Sequence, residues 1–406
     1  VKRLLPFAMA GLAGCGTQTL TSFRATGTSD GPEARAVREV IVAWRPGIEA
    51  QAGRRALGVA PLRRVPRLGL DVYGAADPQA FVARVRRLPG AAWAEANERV
   101  GLNLPRHEEA LAVSLPGFRL TAADDPMLGD QWAMAKCRFP EAWAVSRGGL
   151  KRPVAVVDTG ADTRHEDLRD KVVSGWDFVN QDPEPRDDHF HGTHCAGIVG
   201  AATGNGIGVA GGAPDTPVLV VKSLDWEGMG TYDQIAQGIV FAVEHGAKVV
   251  SLSLGAPQKN YTLSQAVTWA VGQGVLVVAA MGNESSDDPS YPAAYPGVLA
   301  VGSTRMDDTR SGFSNRGDHM SVSAPGSRIL STDRYDKYQV LSGTSMATPL
   351  VAALASMVWA MRPEWTASQV TEHLRKTAVD LGEPGFDTSF GAGRIDALAA
   401  VQSLVR

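Results

Sequence analysis

From residue 124 onward the sequence alternates short apolar runs of strand length with segments of helical spacing, and few folds are written this way. Pro153–Val157, Val218–Val221, Lys248–Leu254, Val275–Ala280 and Val298–Val301 read as strands, while Tyr232–His245, Leu263–Gly272 and Ser345–Met361 read as helices. The strands are apolar throughout instead of alternating, so both of their faces are expected to be covered. The expectation is an α/β domain over 124–406 with a doubly wound, mostly parallel sheet and helices on both faces.

A second, smaller unit precedes it. At 406 residues the chain exceeds what one core usually organises. Val37–Trp44 has strand-forming residues ended by Pro46-Gly47, and Gln79–Leu88 carries Phe81, Val82 and Val85 at helical spacing. Residues 37–101 therefore read as a small α+β domain, joined to the large one by a linker at 102–123 that contains Pro105, Pro116 and Gly117. Residues 1–15 read as an export signal, with Lys2 and Arg3 before a short apolar stretch, and 16–36 as a Thr/Ser/Gly-rich tether. Leu12-Ala13-Gly14-Cys15 resembles the bacterial lipoprotein box, which makes Cys15 a candidate lipid anchor; an ordinary small-residue cleavage site is the alternative. The product is expected outside the cell or on its envelope.

Three motifs carry chemistry. Val156-Val157-Asp158-Thr159-Gly160 closes a strand, His191-Gly192-Thr193-His194 opens a helix, and Gly343-Thr344-Ser345-Met346-Ala347 opens another. A serine hydroxyl needs a base to take its proton, and the base needs a carboxylate to fix its tautomer. Asp158, His191 and Ser345 supply those residue types, and a helix N-terminus favours negative charge at the serine. Together, in this order, the motifs resemble the subtilase family of serine proteases, and from about Asp125 to Val401 the resemblance runs to its thermitase branch.

The resemblance implies a serine endopeptidase acting through an acyl-enzyme on peptide or protein substrates. It assigns Asn283, in Ala279-Ala280-Met281-Gly282-Asn283, to the oxyanion hole. Ser253, Leu254 and Gly255 would pair with an extended peptide, and Ala280, Met281, Gly282 and Ala293 would wall the primary pocket, with no acidic residue among them. Structural calcium is implied at Asp125, Asp167 and Asn205 with the carbonyls of Ile207 and Val209, since this hard cation takes oxygen ligands. A second calcium site would use Asp177, Asn180 and Asp182, although Glu184 and Arg186 depart from the family pattern; an exposed acidic loop accounts for these residues equally well. Cys195 would lie beneath His191. Two further departures are Phe190, where the family has glycine before the histidine, and Leu350, where it has histidine.

The domain at 37–101 resembles the family's inhibitory propeptide, which implies a self-inhibited zymogen whose own propeptide is its first partner. Residues 31–101 are arginine-rich while Asp177–Asp188 and Asp307–Asp308 are acidic, so either the two halves attract each other or the arginines are a solvated face. Cys137 and Cys195 either pair or are buried free thiols. The formal net charge of -3 gives no electrostatic reason to expect nucleic acid as a partner, and a monomer is expected. A narrow-specificity processing protease and a catalytically silent binding module are the other readings.

Overall fold

A computed structural model of the chain describes residues 38–105, 125–149 and 151–405. The signal segment with Cys15, the tether, and linker residues 106–124 lie outside the described residues.

The first unit is β1 (Glu39–Trp44), α1 (Ile48–Leu57), β2 (Arg63–Val65), β3 (Leu70–Gly74), α2 (Pro78–Val85) and β4 (Ala91–Ala96). Its four strands form an antiparallel sheet in the order β2-β3-β1-β4. Strand β1 shows why one small sheet has two hydrophobic faces. Val40, Val42 and Trp44 pack on α1 and α2 with Leu57 and Val85, whereas Ile41 and Ala43 point the other way, as the two-residue period of a strand requires. That second face joins the core of the large domain. The chain then leaves the small sheet as β5 (Arg99–Gly101).

The large unit continues through α3 (Trp132–Lys136), α4 (Phe139–Ala142), β6 (Val154–Asp158), β7 (Val172–Asp177), α5 (His191–Gly200), β8 (Val218–Lys222), β9 (Met229–Thr231), α6 (Tyr232–Glu244), β10 (Val249–Leu252) and α7 (Tyr261–Gly272). It ends with β11 (Leu276–Ala280), β12 (Val298–Thr304), β13 (Val322–Pro325), the hairpin β14 (Ile329–Asp333) and β15 (Lys337–Leu341), then α8 (Thr344–Met361), α9 (Ala367–Lys376) and α10 (Ala397–Gln402). Seven strands form one sheet, β13-β12-β11-β10-β6-β8-β7, with every pair parallel. This is the doubly wound sheet the sequence predicts. Val154, Val156, Val249 and Val278 face α5 and α8, while Ala155, Val157, Val250 and Val277 face α6 and α7. The apolar helix α8 is buried in the first of these layers.

Strand order reverses between β6 and β10, which lie side by side at the centre. In such sheets the crevice outside the carboxyl ends of the strands at that reversal is where ligands bind. Asp158 ends β6, Ser253 follows β10 and Asn283 follows β11, so the fold brings three candidate residues to one edge.

The small sheet's inner face lies on α6 and α7. Glu95 of β4 accepts from Thr262 N at 2.9 Å and Thr262 Oγ1 at 2.6 Å, capping the first turn of α7. Arg63 bonds Asp233 at 2.8 Å, and Arg67 and Arg99 reach Glu244 and Asp225. The two halves therefore attract each other, through acids on and before α6 and not through the patches at 177–188 and 307–308. Asp308 pairs with Lys136 and Arg394, and Asp188 with Lys222, all within the large domain.

Candidate active site

Asp158 and His191 are fully buried, and His191 Nδ1 lies 2.8 Å from Asp158 Oδ1. Burial opposes protonation of the imidazole, but the carboxylate beside it raises its pKa well above the usual value. His191 Nε2, on the far side of the ring, is buried and has no hydrogen-bond partner among the described residues. An unpartnered buried nitrogen held by a carboxylate on its other side is poised to accept a proton. Ser345, in the first turn of α8, donates its hydroxyl to Ser253 O at 3.2 Å, and Ser253 Oγ donates back to Ser345 O at 2.8 Å. The hydroxyl is therefore not on His191 Nε2 here; such catalytic bonds are often poorly aligned at rest and tighten in the reacting complex.

Asn283 is oriented from behind. Its Oδ1 accepts from Thr344 N at 2.9 Å and Thr344 Oγ1 at 3.0 Å, which turns Nδ2 toward the cleft beside Ser345. There Nδ2 donates to Asn103 O at 2.5 Å. Asn103 follows β5, which pairs antiparallel with β9 in the register Arg99 with Thr231, Val100 with Gly230 and Gly101 with Met229. The tail of the small domain thus lies along the cleft with a carbonyl on the Asn283 amide.

Two buried residues that the sequence did not single out hold this geometry. The Asp187 carboxylate accepts from Thr159 Oγ1, His189 N and Phe190 N on one oxygen and from Thr193 N and Thr193 Oγ1 on the other, all between 2.6 and 3.0 Å. Thr159 Oγ1 in turn accepts from Gly192 N at 2.9 Å. One carboxylate therefore ties the end of β6 to the start of α5, the two elements that carry Asp158 and His191. Burial pushes the Asp187 pKa up while these donors pull it down. Lys222, also fully buried, bonds Thr159 O at 2.9 Å from the neighbouring strand. Every neighbour of Asp187 is a donor, so Asp187→Asn turns an amide toward donors. It is expected to cost about 2–4 kcal/mol in urea unfolding, measured in a Ser345→Ala background.

Phe190 sits at φ 148°, a conformation suited to the glycine it replaces, and its ring stacks on His189. Gly192 permits the approach of α5, since a Cβ there would lie 2.1 Å from Gly160 O. Cys195 Sγ is 3.9 Å from His191 Nδ1, beneath the histidine, and Cys137 and Cys195 are both free and buried. Leu350 is a residue of α8 and is buried in the core.

Ser253, Leu254, Gly255, Ala280 and Gly282 line the cleft around Asn103 together with Ser290 and Thr344. Two expected pocket residues do not. Met281 and Ala293 are not among the residues around Asn103: Met281, just after β11, points inward on the opposite side from Ala280, and Ala293 is packed in the same core. Glu284 does line the cleft, so an acidic residue is present after all, and the Asn103 side-chain amide donates to its Oε1. The edge paired with the tail is β9, which the sequence did not mark as a strand.

Away from the cleft, the loop 204–209 gathers the first calcium set. Asp125 accepts from Gly204 N and Asn205 N at 2.8–3.0 Å, and Asp167 from Asn205 Nδ2 at 2.8 Å and Val209 N at 2.9 Å. Asn205 Oδ1 accepts from Ile207 N. Burial pushes the Asp125 pKa up and the nearby Asp167 charge adds to it. Asp125 and Asp167 form no ion pair among the described residues. Two adjacent carboxylates and a carboxamide without a cation are a donor set that fits a hard divalent ion. Asp177, the last residue of β7, and Asn180 and Asp182 in the loop after it form a second set tied in the same way, with Asp177 accepting from Val179 N and Asn180 N at 2.7–2.8 Å and from Asn180 Nδ2.

Comparison with known proteins agrees with this architecture. The subtilase family model matches residues 151–393. The chain is 44% identical to thermitase of Thermoactinomyces vulgaris over 280 residues, 69% of this chain and 99% of thermitase. It is 34% identical to the thermophilic serine proteinase of Bacillus sp. (strain AK1) over 403 residues, 98% of this chain and 96% of that protein. Among solved structures it is similar to fervidolysin from Fervidobacterium pennivorans, a keratinolytic enzyme related to subtilisin, with a TM-score of 0.80 at 27% identity. That likeness covers 93% of this chain, which spans 62% of fervidolysin's length. The chain belongs to the subtilase family and is a serine endopeptidase of the subtilisin type.

Proposed function

We propose that the chain is the self-inhibited precursor of an exported endopeptidase, with Asp158, His191 and Ser345 as its triad. Ser345 Oγ attacks the substrate carbonyl while His191 Nε2 takes its proton, and Asp158 holds the imidazole and stabilises its charge. Asn283 Nδ2 and the Ser345 amide, one of the first in α8, receive the oxyanion. His191 passes the proton to the leaving amine, and water releases the acyl group by the reverse sequence. The observation that carries this reading is the Asn103 carbonyl on Asn283 Nδ2, a backbone carbonyl held where the attacked one belongs.

The same contact supports the zymogen. The small domain over 37–101 acts as an inhibitor that keeps its tail in the cleft, and processing within 102–123 frees the domain from 124 onward. Export, with lipid on Cys15, completes the proposal from residues 1–15. Digestion of an unfolded protein tests the function: the processed wild type should release many peptides and Ser345→Ala none. A wild type that cuts a single site would favour a narrow processing enzyme, and a wild type without turnover a silent module.

Calcium at Asp125, Asp167 and Asn205 would neutralise the two carboxylates and fix the loop 204–209 against the start of the large domain. An ion present at about a hundred times its Kd contributes about 2.7 kcal/mol. Chelation is therefore expected to lower the Tm of Ser345→Ala by roughly 3–5 °C. Asp167→Asn should remove that response.

A further inference from the structure

The tail of the small domain occupies the cleft in the manner of a substrate, and its position identifies one bond. Beyond the β5–β9 pairing, Leu102 N donates to Gly228 O at 2.9 Å, which fixes the residue before Asn103. Asn103 O receives the Asn283 amide at 2.5 Å, and Asn103 and Ser345 line the same narrow space. The carbonyl that receives an oxyanion-hole donor is the one the serine attacks. Leu104 follows on the leaving side.

The Asn103 side chain meets its own partner. Its Nδ2 donates to Glu284 Oε1, and Glu284 is held in turn, with Oε2 accepting from Asn315 Nδ2 at 2.6 Å and its backbone N donating to Asn315 Oδ1 at 2.9 Å. A carboxylate accepts only, so it discriminates for side chains that end in N–H. Resting on the protease reading above, we propose that maturation cuts the Asn103–Leu104 bond and that Glu284 makes the primary pocket select asparagine and other N–H-bearing side chains. In that step Ser345 Oγ bonds the Asn103 carbonyl carbon, the bond to the Leu104 nitrogen breaks, and the serine proton reaches that nitrogen through His191. Water then adds to the ester, giving the Asn103 carboxylate and restoring the Ser345 hydroxyl. The released tail keeps the contacts that held it before cleavage, so the product remains an inhibitor.

Glu284 is exposed at the cleft rim, so its effect is screened by water, and a three- to tenfold discrimination is expected on the order of exposed charge–dipole contacts. The test follows maturation of the full chain by intact mass at early times for wild type, Asn103→Asp, Asn103→Lys and the pair Asn103→Asp with Glu284→Gln. The wild type should release a fragment ending at Asn103. Asn103→Asp, isosteric but facing Glu284 with a like charge, should mature about three- to tenfold more slowly, Asn103→Lys should mature readily, and the pair should recover most of the loss. A first cut at another bond, or Asn103→Asp maturing at the wild-type rate, overturns the proposal. A fluorophosphonate probe separates the two levels: a wild type that is labelled but cut elsewhere refutes only this inference. A wild type neither labelled nor cut, even after an added protease clips the linker, refutes the protease reading and this one with it.

Discussion

Replacing Ser345 by alanine is expected to lower kcat on the order of 10⁶-fold, and replacing His191 by alanine to cost about as much. The double variant should be no slower than either single one, because the hydroxyl and its base act as a unit. Steady-state hydrolysis of a peptide by pre-processed enzyme checks both statements. The pH profile adds a third. His191 must be neutral to accept the serine proton, and the Asp158 carboxylate at 2.8 Å holds its pKa above the usual value. Activity should therefore be low at acid pH and rise as pH passes through that raised value, with the midpoint of kcat/KM above 6.5. A midpoint at or below that value would contradict the arrangement of Asp158 and His191.

Asn283→Leu is expected to reduce kcat by about 10²–10³ while leaving KM nearly unchanged, since the amide serves the charge that develops in the transition state. It keeps the side-chain volume and removes Nδ2 from the Asn103 carbonyl, so it should also weaken the grip of the small domain's tail. Added in trans, residues 37–103 should inhibit the variant less well than the wild type. A KM that rises with kcat unchanged would mean that Asn283 holds substrate in its ground state instead.

Much of this site is legible in the sequence because it rests on short motifs at element boundaries. Asp158 closes a fully buried strand, and His191 and Ser345 open helices, so the parallel-sheet pattern already brings them to one edge. The five strands of the large domain seen in the sequence are those apolar on both faces. Strand β7 is half exposed, β9 has only three residues, and β15 is largely polar and partly exposed, so none carries the continuous apolar run of a buried parallel strand. Helix α9 is marked in the sequence by Thr366 and Gln369, which cap its start, and by Val370 and Leu374, four residues apart and both buried.

Side-chain direction accounts for most of the remaining differences. The expected pocket walls Ala280, Met281, Gly282 and Ala293 include no acid, but alternation sends Met281 into the core and Glu284 stands at the cleft. Asp187 was hidden inside an acidic run that looks like solvated surface, and only the burial of its neighbours identifies it as the tie between β6 and α5. The arginines of the small domain were ambiguous for the same reason: charge in sequence does not say which acid it meets. Arg63 meets Asp233, a buried acid on α6.

The most direct measurement is intact mass of the chain from residue 16 to 406, wild type and Ser345→Ala, incubated with calcium and then with a fluorophosphonate probe. The wild type alone is expected to lose the small domain and gain one probe adduct, while Ser345→Ala keeps its full mass and stays unlabelled. Processing of Ser345→Ala at the wild-type rate in a protease-free preparation, or a wild type that stays unlabelled after its linker is cut, would contradict that expectation.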